Sequence, residues 1–470
     1  MGLLSESSAD LPLVTVIVLS YNSRRHLETC FRSLLALRYP AERLELMLVD
    51  NASADGSLQF IAARFPKVTI VNNPDNCGFA RGNNEGARRA RGQLVAFLNP
   101  DMRVEPNWLT ELVASLQRDP SVVCAASKIL SWNGQHMDFA GSGANFLGYG
   151  YQEGWGEPST NQSWANEKLI LAPCGGAMVI NRQVFLDSGG FDEDYFAFYE
   201  DLDLGWRLWL MGYQVAYVPH AVAYHIHHGS WDQVPNAKMS VLYQRNAMST
   251  LVKNYDDENL ARILPVALLL YLRRTYLAAE ADISPFRSEP PAVAPHVYAE
   301  TPHPATGLEA SPTTSVTAPQ VYDSAYYLGE TLRTLRQGGL VQLWRKMTAE
   351  MQRRWSRRRR VKLLPSYQIR PRPRPEHTFV TDQAIGHLIA ADDLARSWGH
   401  LMEKRQAVQS RRRRSDQEVL AVFGRSLASD SPNPHYMRTM SDLAAACGLH
   451  NLFELERNGR RDEACVDRQR

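Results

Sequence analysis

The sequence predicts an open, mostly parallel α/β sheet with helices on both faces, and three observations predict it. From residue 13, short β-branched apolar runs alternate with stretches of helical period. The runs are apolar throughout, as strands buried on both faces of a parallel sheet are. Each run ends in polar turn residues, and the carboxyl edge of such a sheet is where ligands sit.

In chain order, "LVTVIVLSY" reads as the first strand and "RRHLETCFRSLLAL" as the helix that returns the chain. "LELMLVDN" is the second strand, "SLQFIAARF" a helix and "KVTIVNN" the third strand. "GFARGNNEGARRARG" follows as a helix and "QLVAFLNPD" as the fourth strand. "WLTELVASLQRD" is again helical, and "SVVCAASKIL" is a further strand. The strand ends Ser20-Tyr21-Asn22, Asp50-Asn51, Asn72-Asn73 and Asn99-Pro100-Asp101 are the first candidates for chemistry. Further on, "FAFYEDLDLGWR" (196–207) places Glu200, Asp201 and Asp203 at the start of an aromatic helical run. Acids are favoured there by the unpaired N–H groups and the helix dipole. Asp203 and Arg207, four apart, form an ordinary helix pair.

With 470 residues and 44% apolar content the chain can bury two or three units. The expected organisation is a catalytic α/β domain at 13–280, a Pro/Ala/Thr-rich linker at 283–323, and a helical, basic C-terminal extension at 324–470. Residues 1–280 hold 23 Lys and Arg against 29 Asp and Glu, and the remainder 29 against 21, so the two parts face different surroundings. The six cysteines show neither a disulfide framework nor a zinc spacing, which implies a reducing, cytoplasmic setting. "MGLLSESSAD" lacks a cationic start and is expected to be neither a signal peptide nor a myristoylation site. The apolar run "ILPVALLLYL" (263–272) is about half of what a bilayer span requires.

A dinucleotide-binding fold requires Gly-x-Gly-x-x-Gly in the first turn, but "LSYNSRRHL" contains no glycine. A Walker lysine loop is also absent, which removes the oxidoreductase and P-loop readings. An aspartate ending the second strand can accept hydrogen bonds from a base or a ribose. An acid after the fourth can share a divalent ion with phosphate oxygens. Together they describe a nucleotide diphosphate site.

The set "VIVLSYNS", "LVDNASADGS", "NNPDNCGFARGNNEGA", "VAFLNPDMRV" and "CGGAMVINRQVFLDSGGFDEDYFAFYEDLDLGWRLWLMGYQVAYVPHAVAYHIHHGS" resembles the family 2 glycosyltransferases, in particular their bacterial rhamnosyltransferase-like branch, over residues 13 to about 255. The resemblance implies a GT-A fold and transfer of a sugar from a nucleotide diphosphate with inversion. It implies that Asp50 binds the base, with Ser20, Tyr21 and Asn22 beside the nucleotide. Arg81 would contact the diphosphate, Asn83 would shape the pocket, and the first turn of their helix would itself be an anion site. In place of the family's Asp-x-Asp stands Asn99-Pro100-Asp101, so Asp101 would coordinate Mg²⁺ or Mn²⁺ with His225, His227 and His228 being possible substitutes for the histidine. Asp201 would be the base that takes the acceptor proton and Glu200 would orient the site. Trp206 and Trp209 would pack or line the acceptor side, and Gly175 and Gly176 would admit the sugar closely.

The same resemblance implies a dTDP-rhamnose donor, with UDP-sugars as the alternative, and a glycan or lipid-linked glycan acceptor in envelope polysaccharide synthesis. Residues 353–375 carry ten Lys and Arg and no acid, a composition suited to peripheral contact with anionic lipid on the inner face of the membrane. No recognition motif or stacking platform points to nucleic acid. A non-catalytic sugar-nucleotide or glycan-binding protein is the competing class.

Overall fold

The computed structural model describes residues 11–226, 236–280, 381–449 and 452. Residues 1–279 and 381–470 form one compact unit and 280–380 a second. The elements of the first unit begin with β1 (Val14–Ser20), α1 (Arg24–Leu35), β2 (Leu44–Asp50), α2 (Ser57–Arg64), β3 (Thr69–Asn72) and α3 (Gly78–Arg89). They continue with β4 (Leu94–Leu98), β5 (Met102–Val104), α4 (Trp108–Arg118), β6 (Val122–Ser131), β7 (Met137–Phe139), β8 (Ser142–Ala144), β9 (Gly150–Gln152) and β10 (Lys168–Leu169). Then come β11 (Ala177–Asn181), α5 (Arg182–Asp187), α6 (Glu200–Leu210), β12 (Gln214–His225), α7 (Asn236–Asn254) and α8 (Asp257–Ala278). Among the described residues after 381 the helices are Asp382–Gln409, Asp416–Leu420 and Pro434–Ala446.

Ten strands form one mixed sheet in the order β10-β12-β6-β11-β4-β1-β2-β3, with β5 on β12 and β7 on β6. The strands β3, β2, β1 and β4 are parallel neighbours. β11 enters antiparallel between β4 and β6, which leaves β6 and β12 running with the first four. Six of the ten strands thus run the same way and β5, β7, β10 and β11 oppose them. The sheet is more mixed than expected, while each run named above is the strand or helix expected. The antiparallel β11 brings its amino end to the carboxyl edge, because Ala177 lies opposite Leu98.

Small residues decide how the helices lie. Cβ atoms built on Gly82 and Gly86 of α3 would come within 2.5 Å of Leu19 and 2.9 Å of Ile17 and Val49, so their absence lets α3 rest directly on β1 and β2. Trp108, fully buried, donates its indole N–H to Ser127 Oγ at 2.7 Å and locks α4 to β6. Gly205, inside α6, would put a Cβ 2.5 Å from Ala172 Cα and 2.6 Å from the Leu171 carbonyl. Gly205→Ala gains up to about 1 kcal/mol of helix propensity but overpacks against backbone, which costs about 1–3 kcal/mol. The net expectation is a lower melting temperature, measured by thermal denaturation; an unchanged or higher one would show that α6 can shift away.

The pair Asp203 and Arg207 is buried and not on the surface. Asp203 Oδ2 lies 2.8 Å from Arg207 Nε and its Oδ1 2.9 Å from Lys253 Nζ, while Arg207 donates to the carbonyls of Ser188 and Gly190. Burial raises the Asp203 pKa, but Lys253 and Arg207 outweigh it and hold the carboxyl below its ordinary range. Trp206 and Trp209 are core residues as well. Trp206 meets Tyr255 and Phe423 edge to face, and the Trp209 N–H donates to the Ile170 carbonyl at 2.9 Å.

The expected linker at 283–323 and the polybasic run at 353–375 lie outside the described residues. At Thr381 the chain rejoins the first unit. Buried Arg405 donates to the carbonyls of Val252 and Tyr255 and pairs with Asp257 at 2.7 Å. Phe423 packs on Trp206, and its carbonyl accepts from Tyr151 Oη at 2.6 Å. Among the described residues no helix is long and apolar enough to cross a membrane.

Candidate functional site

The site candidates gather along the carboxyl edge of the sheet. Ser20 ends β1 opposite Asp50, which ends β2. Both are fully buried, and Asp50 Oδ2 accepts from the Ser53 N–H at 2.8 Å. Among the described residues Asp50 Oδ1 and Ser20 Oγ have no hydrogen-bond partner, a costly state for buried polar atoms unless a ligand satisfies them. Asn22, at φ +52°, ties this loop to the next, its N–H donating to Ser53 Oγ and its side-chain oxygen accepting from the Ala54 N–H. Tyr21 beside it is 38% exposed.

At the end of β4, the Asn99 N–H donates to the Gly176 carbonyl at 2.8 Å, and a Cβ on Gly176 would fall 2.7 Å from the Asn99 amide. Pairing of β5 with β12 sets Met102 opposite His225, which brings Asp101 to the same ring. His225 Nε2 is 3.3 Å from Asp101 Oδ2, and its Nδ1 is 2.8 Å from Asp138 Oδ2. Burial lowers the His225 pKa, but the two carboxylates overcome it and raise the ring to about 9. Burial likewise pushes Asp101 up, and His225 more than offsets it. A histidine held between a ligating face and an orienting carboxylate is the usual support of a metal ligand. Among the described residues no group of three or more His, Cys, Asp or Glu is arranged to hold a metal ion. A cation held by Asp101 and His225 would complete its shell from phosphate oxygens and water. His227 and His228 lie outside the described residues.

The first turn of α3 departs from the expectation of an open anion site. The N–H groups of Phe79 and Ala80 donate to the Phe196 carbonyl at 2.6 and 3.2 Å and so are already capped. Arg81 stands on this turn with its side chain 61% exposed and 3.9 Å from Glu193. Asn83 is buried and donates to the Phe79 carbonyl, an internal helix contact.

The segment ahead of α6 is strained. Phe196, Phe198 and Tyr199 have φ of +63°, +68° and +70°, left-handed values that bulky residues avoid. Buried Asn246 of α7 holds the segment with one amide group, donating to the carbonyls of Tyr195, Ala197 and Phe198 at 3.1, 2.9 and 2.8 Å. Glu200 and Asp201 follow at the start of α6. Asp201 Oδ2 accepts from the Gly175 N–H at 2.9 Å and Oδ1 from the Leu202 N–H at 2.8 Å. Burial raises its pKa, and these donors restrain the rise. Glu200 is raised further, by burial and then by Asp201, and its Oε2 has no partner among the described residues. The two carboxyls line a cleft of about 400 Å³ together with Cys174, Phe198, Tyr199 and Tyr243. Asp138, Asn246 and Tyr243 were not among the expected site residues.

Residues 15–185 match the family described as Glycosyl transferase family 2. The chain is similar to the O-antigen biosynthesis protein RfbC of Myxococcus xanthus, with 33% identity over 250 residues, covering 49% of this chain and 19% of that one. It is 28% identical over 242 residues to N-acetylgalactosaminyltransferase 4 of Drosophila melanogaster, covering 47% and 36%. With N-acetylglucosaminyl-diphospho-decaprenol L-rhamnosyltransferase of Mycobacterium tuberculosis it shares 26% identity over 236 residues, covering 45% and 76%. The match thus spans about a fifth and about a third of the first two relatives' own lengths.

Proposed function

Because residues 15–185 belong to glycosyl transferase family 2, we propose that the protein is an inverting glycosyltransferase that moves a sugar from a nucleotide diphosphate to a glycan hydroxyl. The observation that carries this is the set of polar groups along the carboxyl edge of the sheet. That edge holds the unpartnered Ser20 and Asp50 atoms at the ends of β1 and β2, and the Asn99 N–H on the Gly176 carbonyl next to the Gly175 N–H that holds Asp201.

In this reading Ser20 Oγ and Asp50 Oδ1 gain their missing partners from the nucleoside, with Tyr21 and Asn22 at its edge and Arg81 placed for the phosphates. Asp101 and His225 would hold Mg²⁺ or Mn²⁺, which when bound offsets the charge of the departing diphosphate. Asp201 removes the proton from the acceptor hydroxyl. The hydroxyl oxygen then bonds to the anomeric carbon as the carbon–oxygen bond to the diphosphate breaks on the opposite face, and the nucleoside diphosphate leaves with that electron pair. Glu200, pushed towards its neutral form, serves as a hydrogen-bond donor and not as a second base.

The donor in this proposal is dTDP-rhamnose, supported by the rhamnosyltransferase relative, and the acceptor a lipid-linked or polysaccharide glycan of a bacterial envelope. A UDP-sugar is the alternative donor, supported by the N-acetylgalactosaminyltransferase relative. The polybasic 353–375 supports a position against the inner face of an anionic membrane. Asn99 in place of a metal acid favours a second reading, a sugar-nucleotide-binding protein without transfer.

Calorimetric titration of the full chain with dTDP and with UDP, each with and without Mg²⁺ or Mn²⁺, tests the site. Metal-enhanced binding is expected, weakened by about tenfold or more in Asp101→Asn. Asp138→Asn, which removes the support of His225, is expected to weaken metal affinity by about 10–100-fold. If neither nucleotide binds under any condition, the transferase reading fails.

A further inference from the structure

The cleft at Asp201 does not end at the carboxylates. It shares Gly150, Tyr151, Tyr199 and Tyr243 with a second cavity of about 1010 Å³. One wall of that cavity is α7, through Met239, Ser240 and Gln244. Another is supplied by the C-terminal segment, through Thr381–Gln383 at the start of the long helix and through residues 429–432 and Met437. This wall lies far beyond the family-matched residues 15–185.

We propose that the second cavity is a carbohydrate site for the sugar units that precede the accepting one, so that the C-terminal segment selects an oligosaccharide acceptor over a single sugar. The inference rests on the transferase reading of Asp201 for its direction, and on the cavity alone for its chemistry.

Three features identify the ligand class. The size lies at the upper end for an organic ligand and suits several linked rings. The lining combines four tyrosines, Tyr149, Tyr151, Tyr199 and Tyr243, with the planar polar groups of Gln244, Asp382 and Gln383, which suits a molecule with flat C–H faces and hydroxyls at its rim. Tyr243 stands at the junction of the two cavities. Its ring stacks on Phe198 at 4.6 Å and 19°, which covers one face, while the residue stays 41% exposed.

Other ligands fit less well. A lipid chain needs a continuous apolar wall, whereas Met239, Pro432 and Met437 are scattered among polar residues. A phosphate needs an available cation, and Arg274 is committed. It pairs with Asp430, donates to Tyr436 Oη at 3.0 Å and lies 4.1 Å over the Tyr149 ring.

The walls are also tied together before any ligand arrives. Ser240 Oγ donates to the Gln383 carbonyl at 3.2 Å, and Asn145 Nδ2 to the Ala428 carbonyl at 3.1 Å. A preformed cleft spends less of its interaction energy on ordering.

The test uses the full chain and saturation-transfer NMR with rhamnose-, N-acetylglucosamine- and galactose-based oligosaccharides of one to four units, alongside dTDP and UDP titrations. Affinity in at least one series is expected to rise about tenfold from the monosaccharide to the trisaccharide, equivalent to about 1.4 kcal/mol. The double variant Gln383→Ala, Met437→Ala changes two exposed side chains and is expected to remove that rise while nucleotide binding stays unchanged. Flat or absent oligosaccharide binding with intact nucleotide binding overturns the inference and leaves the transferase reading standing. A length-dependent rise that survives in the double variant overturns it also. Length-dependent glycan binding without nucleotide binding upholds the cavity as a carbohydrate site and sinks the transferase reading.

Discussion

Asp201→Asn is expected to lower sugar transfer by about 10²–10⁴-fold, the usual contribution of a positioned general base, while nucleotide binding is retained. At about 1.36 kcal/mol per decade this is roughly 3–5 kcal/mol of barrier. The side chain keeps its size, and its remaining oxygen can still accept one of the two N–H groups, from Gly175 or Leu202, that now hold the carboxylate. What disappears is the basic oxygen. The residues that would bind the nucleoside, Ser20 and Asp50, lie at the ends of β1 and β2, on other elements than Asp201 of α6. Initial rates of transfer beside calorimetric binding measure the split. Equal transfer by the variant would remove Asp201 from the chemistry, and nucleotide binding with no transfer by either form would favour a binding protein.

The pH profile follows from the same carboxyls. A base acts when ionised, so transfer should rise with pH through the Asp201 pKa and then level. Burial places that rise above the ordinary aspartate range. Glu200 is raised further, and because its neutral form is the donor, its ionisation at higher pH should appear as a fall in transfer after the level stretch. A profile flat from acid to neutral pH would show that neither carboxyl moves the proton.

The sheet was legible because its strands carry their own signal. A run such as "LVTVIVLSY" is apolar on both faces, and that pattern survives in any neighbourhood. The acids at 200 and 201 were legible for a different reason, since a cluster ahead of an aromatic run stands out even without a partner in view. Asp138 carried no such mark. It is a single acid in "HMDFA", and only the pairing of β7 with β6 and of β12 with β6 and β5 brings it to His225. The first turn of α3 misled for a related reason. Its sequence reads as an open helix start, and the carbonyl that caps it belongs to Phe196, more than a hundred positions away. Contacts that depend on the register of distant strands, or on a strained loop, leave no periodicity to read. The return of the chain at Thr381 was hidden in the same way, because Arg405 and Phe423 reveal their burial only against α7 and α6.

Asn246 shows how far such an unmarked residue can matter. Asn246→Ala is expected to lower kcat by about 10²-fold, the scale associated with a misplacement of about 1 Å, and to cost about 1–3 kcal/mol of stability for the donors lost from buried carbonyls. Three left-handed residues in a row of four store strain of about 1–3 kcal/mol each. One amide group opposes it by gripping the carbonyls of Tyr195, Ala197 and Phe198. Three carbonyls around one atom also fix which end of the amide faces them, because only the nitrogen can donate. Asn246→Asp has no donor to offer and turns the contact repulsive, so it should be the more damaging variant although it is nearly the same size. Released, the loop relaxes towards ordinary φ values and carries Glu200 and Asp201 with it, since they are the next residues in the chain. A merely structural role would lower the melting temperature and leave kcat unchanged well below it. Measuring kcat and nucleotide affinity at a temperature where both variants are fully folded separates the two. A fall in kcat with nucleotide binding retained assigns Asn246 to the positioning of the catalytic acids, and an unchanged kcat assigns it to stability alone.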